Sequence, residues 1–245
     1  MEGGLVKTRP LRPLEAVRAF GVMLGGSIAL AALAAAAAAS TVAVLRAVVS
    51  LRRPSPLALF GTAATALYVL VIRPWHLRWG AEPEDEQREL PGDELLPEGG
   101  TQIVHAVTIE APVEEVWPWL PQLGQDRGGF YSYEWLENLA GCQMRNTDRI
   151  RPEWQRRELG ETVRLHPAGG LRVRVFEPGR ALSLEGWGTF AVEPLGRDRT
   201  RLIARGSVPG GVGAVAYGML MEIPHFLMER RMLLGIKERA EASRA

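Results

Sequence analysis

The chain has 245 residues, with 29 basic and 28 acidic side chains and a formal net charge of +1. This balance argues against a nucleic-acid-binding surface and against a charged tail, so no nucleic-acid partner is expected. The single cysteine, Cys142, excludes an intrachain disulfide and a metal site built from several thiolates.

Two long uncharged runs lie in the N-terminal third, over residues 19–45 and 54–72. Each is long enough to cross a hydrocarbon core of about 30 Å as a helix rising about 1.5 Å per residue. Trp75 and Trp79 follow the second run as interfacial residues do. The sequence therefore predicts two transmembrane helices within residues 19–80, after a basic segment of residues 1–18.

Other interpretations of the apolar segments stay open. The alanine-rich first run could be the core helix of a soluble protein, and residues 34–40 could be a signal-peptide cleavage region. A third span over residues 206–228 is a further alternative. The length of the first run argues against a signal peptide, and Glu222, Pro224 and His225 argue against the third span.

Basic residues on either side of the two runs predict the topology. Four of them precede the first run, and Arg73 and Arg78 follow the second, whereas Arg46, Arg52 and Arg53 lie between the runs. Because cytoplasmic loops are enriched in Arg and Lys, the N-terminus is expected inside. The prediction is a two-pass protein of the inner (plasma) membrane with a cytoplasmic C-terminal domain.

Residues 81–100 form an acidic stretch that is rich in proline and glycine and has no sustained hydrophobic period. This composition is typical of a linker, and it predicts a tether between the membrane and the domain that follows.

Residues 101–245 have the pattern of one α+β domain. A first strand, residues 102–110, places Ile103 and His105 on one face, and Pro112 then begins a short amphipathic helix. Further strands are expected at residues 162–166, 171–176, 181–185, 189–194 and 200–207. Their short, turn-rich connections predict an antiparallel meander.

A long helix is expected over residues 213–242. Leu220, Ile223, Leu227 and Leu234 form its predicted apolar stripe, and Glu229 is assigned to its polar side. Pro224 removes one backbone donor and should kink or interrupt the helix near Met221.

The order strand, helix, strands, long helix, together with EAPVEEVWPWL at residues 110–120, resembles the SRPBCC superfamily, also called START-like or birch-pollen-allergen-like. The segments RGGFYSYEWLENLAG, IRPEWQ, LGETVRLHP and HFLMERRMLLGIKERAE resemble a bacterial polyketide cyclase or dehydratase-like branch, some members of which carry N-terminal membrane helices. The resemblance covers residues 101–242. It implies a helix-grip fold, a curved antiparallel sheet that grips a long C-terminal helix around an apolar pocket. It does not specify a reaction.

In the resembled fold, the segment after the first helix and the start of the last helix line the pocket mouth. The candidate lining residues are therefore Tyr131, Tyr133, Trp135, Asn138 and Trp154, although the aromatic ones could also belong to the core. Arg127 could anchor an anionic ligand group, or it could pair with Glu134, Glu137 or Asp126 and hold its loop.

Evidence for catalysis is sparse in the sequence. His166 and Tyr131 are weak candidates for acid–base work and oxyanion stabilisation. A lone histidine is more often a structural residue, and this applies to His166, His105 and His225 alike. No residue spacing indicates a metal site, and no phosphate-binding, dinucleotide-binding or nucleophile motif is present, so no cofactor is expected.

Three hypotheses follow from these patterns. The first is a membrane-tethered, non-enzymatic binding or carrier domain for an apolar small molecule or lipid. The second is a cyclase or dehydratase-type enzyme acting on a hydrophobic, polyketide-like substrate. The third is an interaction or stress-response module with a vestigial pocket. The expected partners are the lipid bilayer and an apolar small molecule or lipid. The sequence does not determine an oligomeric state.

Overall fold

The computed structural model describes residues 32, 35–50, 53–208, 210–211, 217–218 and 221–243. The basic segment 1–18 and most of residues 19–34 of the first predicted span lie outside the described residues. The later part of that span belongs to an apolar helix, α1 (Ala35–Val49). The alternative third span, residues 206–228, is also described only in part.

The second predicted span is a helix, α2 (Pro56–Leu77). Its first turn is capped by Ser55, whose hydroxyl oxygen accepts a hydrogen bond of 3.2 Å from the Ala58 amide. A π-helical turn, Tyr68–Ile72, lies directly before Pro74, which has no backbone donor. Among the described residues, α2 is the one helix that is long and apolar enough to cross a membrane, and α1 is shorter.

Six strands form one sheet, in the order β1-β6-β5-β4-β3-β2, with every neighbouring pair antiparallel. The predicted meander is therefore confirmed, and the first strand closes it by pairing with the last. The strands are β1 (Thr101–Ile109), β2 (Thr162–His166), β3 (Gly169–Glu177), β4 (Ala181–Leu184), β5 (Gly188–Pro194) and β6 (Thr200–Val208).

Short helices fill the long connection between β1 and β2. They are α4 (Val113–Val116), which continues into a 3-10 turn at Trp117–Trp119, then α5 (Glu134–Leu139) and a 3-10 turn at Pro152–Trp154. Before β1, the acidic segment contains α3 (Pro83–Gln87) and a 3-10 turn at Asp93–Leu95. The first helix of the domain is short because Pro118 cannot continue its hydrogen bonding.

A long helix, α6 (Glu222–Ala242), follows the sheet, as predicted. Pro224 lies in its first turn, where backbone N–H groups have no acceptor within the helix. The helix therefore begins beside the proline, at the place where a break was predicted near Met221.

The predicted apolar stripe of this helix was wrong in its register. The buried positions include Glu222, Phe226, Glu229, Leu233, Ile236 and Ala240, which are spaced alternately four and three residues apart. Leu227 is 46% exposed, and Ile223 and Leu234 are only half-buried. The register was missed because two positions of the buried stripe are glutamates, which normally lie at the surface.

The inner face of the sheet and α6 enclose the main core. Ile109, Phe190 and Leu202 contribute from the strands, and Leu233 and Ile236 contribute from the helix. In β1, His105 and Ile109 share this inner face, whereas Val104 and Ala106 belong to a second cluster on the outer face. Both faces of β1 are therefore buried.

The acidic segment, residues 81–100, covers the outer face of the sheet. Leu90 packs there against Ala191 and Ile203. Arg201 of β6 donates hydrogen bonds to Asp85. Arg205, four residues further on and on the same face of the strand, is paired with Asp93 at 2.5 Å. The segment predicted as a tether is thus held against the sheet by two buried arginines.

Candidate functional site

Arg127, the predicted anion anchor, is fully engaged by its own loop region. Its guanidinium donates to the carbonyl oxygens of Pro121, Trp154 and Arg156 at 3.2, 2.9 and 3.0 Å. It also forms a 2.7 Å ion pair with Glu161. This pair holds the loop, and its carboxylate comes from Glu161 rather than from the acidic residues considered in the sequence.

Tyr131 is 1% exposed and belongs to the main core. Its hydroxyl donates to the Trp119 carbonyl oxygen at 3.1 Å, and its ring lies under the Arg239 guanidinium. Its backbone has a φ of 55°, and a Cβ at Gly235 of α6 would collide with its carbonyl oxygen. Burial raises the pKa of Tyr131. This arrangement makes the residue a packing element between its loop and α6.

The other predicted site residues have local contacts. Asn138 donates to the Met144 carbonyl oxygen at 3.0 Å and accepts from the Met144 amide at 2.5 Å, so its side chain closes a turn. Trp135 is 68% exposed, and Tyr133 is half-buried.

Trp154 and His166 complete the predicted set. The indole of Trp154 lies under the Arg151 guanidinium, and His166 accepts a hydrogen bond of 3.0 Å from the Ala168 amide. Among the described residues, no hydrogen bond joins any two of Tyr133, Trp135, Asn138, Trp154 and His166.

A different set of polar side chains converges in the interior, between the sheet and the first half of α6. Its centre is the buried carboxylate of Glu229, which forms ion pairs with His105 of β1 and, at 3.4 Å, with His225 of α6. The indole N–H of Trp187, in the β4–β5 turn, donates to Glu229 at 2.6 Å. The Tyr217 hydroxyl contacts Nδ1 of His225. These five residues form the Glu229 cluster.

Burial and charge compete within the Glu229 cluster. Burial alone would raise the pKa of Glu229, but the positive charges of His225 and His105 and their hydrogen bonds hold that pKa well below its usual range. Burial opposes the charged form of His225, but Glu229 outweighs this effect and raises the pKa of His225. Burial, with the nearby carboxylates, raises the pKa of Tyr217. Ionised Glu229 and the protonated form of His225 therefore stabilise each other.

A second carboxylate, Glu222, joins the end of α2 to the start of α6. Arg73 donates to both of its oxygens, with the shortest contact at 2.9 Å, and the Tyr68 hydroxyl donates at 3.0 Å. Nε2 of His76 lies 3.3 Å from the same carboxylate. The side chain of Glu222 is 2% exposed. These four residues form the Glu222 group, and they fix the candidate membrane helix to the domain.

The two polar sets are adjacent in space. Nε2 of His105 lies 2.8 Å from the carbonyl oxygen of His76. The Phe226 ring packs between the sets, with its centroid 5.3 Å from that of His76 and 5.5 Å from that of His105. Polar contacts thus run from α2 to the inside of the sheet. In the described parts of the chain, no three His, Cys, Asp or Glu residues are arranged to hold a metal ion.

A groove of about 360 Å³ lies on another part of the surface, between the acidic segment and β3. Glu89, Glu94, Glu177 and Arg180 are among the residues that line it, so its wall is mainly polar. It does not include any residue of the Glu229 cluster.

The chain matches no protein-family model, and no curated protein has a significant match to it.

The Glu229 cluster could not be found from local sequence patterns. His105 and Glu229 are 124 residues apart, and Trp187 and Glu229 are 42 apart. One local signal is the spacing of Glu222, His225 and Glu229, which places all three on one side of a helix. A second signal is the spacing of the buried residues of α6, which lie alternately four and three positions apart. This pattern is visible only when glutamates are counted among the buried residues.

Proposed function

We propose that the protein binds an apolar small molecule or lipid, as a membrane-tethered binding or carrier domain. The observation that carries the proposal is the Glu222 group, which fixes the end of the candidate membrane helix to the start of α6. The proposed ligand site between α6 and the sheet therefore lies beside the candidate membrane helix. Poorly soluble molecules partition into the bilayer and would reach the domain at this place.

The apolar surface of α2 supports the membrane tether. Leu57, Phe60 and Leu70 are 79, 73 and 73% exposed, and a soluble protein rarely exposes such a continuous apolar surface. A Cβ at Gly61 would collide with the Ser40 side chain of α1, so α1 and α2 approach closely at small residues, as transmembrane helices do. The proposal therefore includes a two-pass hairpin, with the N-terminus and the domain on the cytoplasmic side of the inner membrane.

The proposal also includes a helix-grip architecture and membership of the SRPBCC superfamily, which the sequence segments around residues 110–120 and 225–241 suggest. A six-stranded antiparallel sheet whose inner face is covered by a long C-terminal helix is compatible with both. In such an arrangement a ligand lies between the sheet and the helix.

Aromatic side chains near the Glu229 cluster suit an apolar ligand with one polar end. Phe130 stacks on Trp187, with ring centroids 5.5 Å apart, and Trp187 also contacts His225. The side chain of Glu229 is 4% exposed, whereas that of His225 is 20% exposed. The cluster is thus closed at Glu229 and accessible at His225. Aromatic walls with a small number of polar groups are typical of ligand sites.

An enzyme of the cyclase or dehydratase type is the second candidate. It is favoured by the chain of titratable groups from Glu229 through His225 to Tyr217, because a carboxylate that orients a histidine next to a hydroxyl is a common acid–base arrangement. Such an enzyme would use Tyr217 and His225, instead of His166 and Tyr131, to move a proton at an enolisable carbonyl group.

Native mass spectrometry of the full chain, released from detergent, tests the proposed function. We expect a stoichiometric apolar ligand, which solvent extraction then identifies. A matched pair of variants locates it: Trp187→Ala should remove the bound ligand, whereas Trp135→Ala should retain it. Loss in Trp135→Ala alone would instead favour the lining residues predicted from the sequence. A folded chain that carries no ligand and takes up no lipophilic dye would contradict the proposal and favour an interaction module.

A further inference from the structure

The first turns of α6 run alongside the last turns of α2, in the same direction. At the start of α6, the Glu222 carboxylate accepts hydrogen bonds from Tyr68 and Arg73. One turn later, the Phe226 ring meets the Trp75 ring, with their centroids 5.7 Å apart. Successive turns of the two helices therefore face each other, and α6 begins at the level of the last turns of α2.

This level belongs to the candidate membrane span. Tyr68 is part of the uncharged run of residues 54–72, and the neighbouring Leu70 is 73% exposed. The run ends at Arg73, and Trp75 is 57% exposed, as is typical of an aromatic side chain at a membrane interface. In a bilayer crossed by α2, the start of α6 therefore lies where the hydrocarbon core meets the headgroups.

The outer side of α6 suits an apolar surrounding at this level. Met221 and Leu227 are 50 and 46% exposed, and Leu227 belongs to the apolar stripe that was expected to be buried. The two acidic residues of the same turns, Glu222 and Glu229, are each 3% exposed and have partners within the fold. Over the described residues 221–229, α6 therefore exposes apolar side chains and no acidic group.

Basic side chains return only further along the chain. Residues 206–221, which lead into α6, contain no acidic or basic side chain, and the first arginine after Arg205 is Arg230. Arg230 lies about 12 Å along the helix axis from Glu222. Its guanidinium is 4.9 Å from the centroid of the Trp79 ring. Arginine and tryptophan side chains at this height match the chemistry of lipid headgroups.

We infer that the first turns of α6 contact the bilayer, at the headgroup level of the leaflet from which α2 emerges. Met221, Ile223 and Leu227 would face lipid, and Arg230 would lie among the headgroups. The occupant of this face is the bilayer rather than a second copy of the chain, because the face continues the exposed apolar surface of α2. The inference rests on the proposed function, since it requires that α2 crosses the membrane.

Spin labels on single cysteines test this contact, in the full chain reconstituted in phospholipid nanodiscs. Cys142→Ala provides the background, because Cys142 is the one cysteine of the chain. Labels are introduced through Leu227→Cys on the proposed face, Leu70→Cys in α2 and Glu238→Cys further along α6. Electron paramagnetic resonance measures the collision of each label with oxygen, which concentrates in lipid, and with a nickel chelate, which stays in water.

Glu238 is the matched control position. It lies about three turns beyond Leu227 on the same face of α6, and its side chain is 58% exposed. We expect the ratio of oxygen to nickel collisions at Leu227→Cys to lie between the ratios of the two other labels. It should exceed that at Glu238→Cys about threefold, because water is excluded towards the hydrocarbon core.

The label at Leu70→Cys separates failure of the contact from failure of the tether. A high ratio there, with equal low ratios at Leu227→Cys and Glu238→Cys, would refute the contact and leave the membrane tether standing. An immobile label at Leu227→Cys that neither reagent reaches would place a protein surface on this face and would also refute the contact. A low ratio at Leu70→Cys would contradict the tether and the contact together.

Discussion

The two halves of α6 lie in the same domain but are buried in opposite ways. In the first half the buried side chains are Glu222, Phe226 and Glu229, and two of the three are glutamates with polar partners from α2, β1 and the β4–β5 turn. In the second half they are Met232, Leu233, Gly235, Ile236 and Ala240, which pack on the apolar core.

Stability alone does not explain the first half. A buried ion pair often contributes no more to stability than apolar residues of similar volume, because both charges must leave water. Leucine at residues 222 and 229 would continue the apolar stripe of the second half. Under the proposed function, the polar first half serves binding, whereas the apolar second half serves folding.

The largest effect is expected from the polar half. Glu229→Gln removes the buried carboxylate that His105, His225 and Trp187 share, and this should lower the free energy of unfolding by about 3–5 kcal/mol. Denaturant unfolding of the full chain in detergent, followed by tryptophan fluorescence, measures the change. Glu238→Gln, at an exposed position of α6, should change it by less than about 0.5 kcal/mol. A loss below about 1 kcal/mol for Glu229→Gln would remove the contrast between the halves.

A change in the apolar half should affect stability alone. Leu233 is 0% exposed, and Leu233→Ala should cost about 3 kcal/mol through lost burial and the cavity that remains. The amount of bound apolar ligand measured by native mass spectrometry should stay the same. Leu227→Ala, at a leucine that is 46% exposed on the same helix, is the matched control and should cost under about 1 kcal/mol. Loss of the bound ligand in Leu233→Ala would mean that both halves take part in binding.

Glu137 is a buried glutamate that, unlike Glu229, has no positively charged partner among the causes of its pKa shift. Burial raises the pKa of Glu137 to about 7, since one of its oxygens has no hydrogen-bond partner and Glu134 is near. Because the folded chain binds this proton more tightly than the unfolded chain, its contribution to stability is present at pH 4 and is lost as the pH rises through about 7. The loss should reach roughly 2–3 kcal/mol.

Unfolding at pH 5 and pH 8 measures this effect. His225 changes stability in the same direction, because its pKa is also raised, whereas the contribution of Glu229 is present above its unfolded pKa and stays constant over this range. The difference between the unchanged chain and Glu137→Gln isolates Glu137. Parallel pH profiles for the two chains would show that Glu137 is not protonated in the folded state.

The smallest effect is expected at the junction with α2. The side chain of Arg73 is 35% exposed, so solvent screens its pair with Glu222. A double-mutant cycle of Arg73→Gln and Glu222→Gln should give a coupling energy of about 1 kcal/mol. Arg231 and Glu238, an exposed pair on α6, provide the reference cycle, with less coupling. No coupling between Arg73 and Glu222 would argue against a fixed attachment of α2 to α6.

Most of the sheet could be predicted from the sequence, and the register of α6 could not. Strand alternation and the glycine-containing turns at residues 167–170 and 178–179 are local signals, so β2 to β6 appear at nearly the predicted bounds. The buried face of α6 depends on partners far away in the chain. Glu229 is buried because His105 and Trp187 lie opposite it, and no pattern within the helix reports this.

The choice of candidate site residues was limited in the same way, by contacts with distant parts of the chain. Tyr131 and Arg127 were selected because they follow a glycine-rich bend, but the local sequence does not reveal that carbonyl oxygens and Glu161 already engage them. The acidic segment was predicted as a tether from its composition alone. Two arginines of β6, more than 100 residues later in the chain, hold it on the sheet.

The attachment of residues 81–100 to the sheet limits how far the domain can travel. A free chain of this length would let the domain move through roughly 25 Å. Arg201 and Arg205 instead hold the segment on the sheet, and Glu222 joins the domain to α2. The domain therefore stays next to the C-terminal end of α2. Under the proposed carrier function, the domain would not reach its ligand by swinging, and lateral diffusion within the bilayer would deliver the ligand. The rate of loading should then follow lipid fluidity rather than the length of the acidic segment.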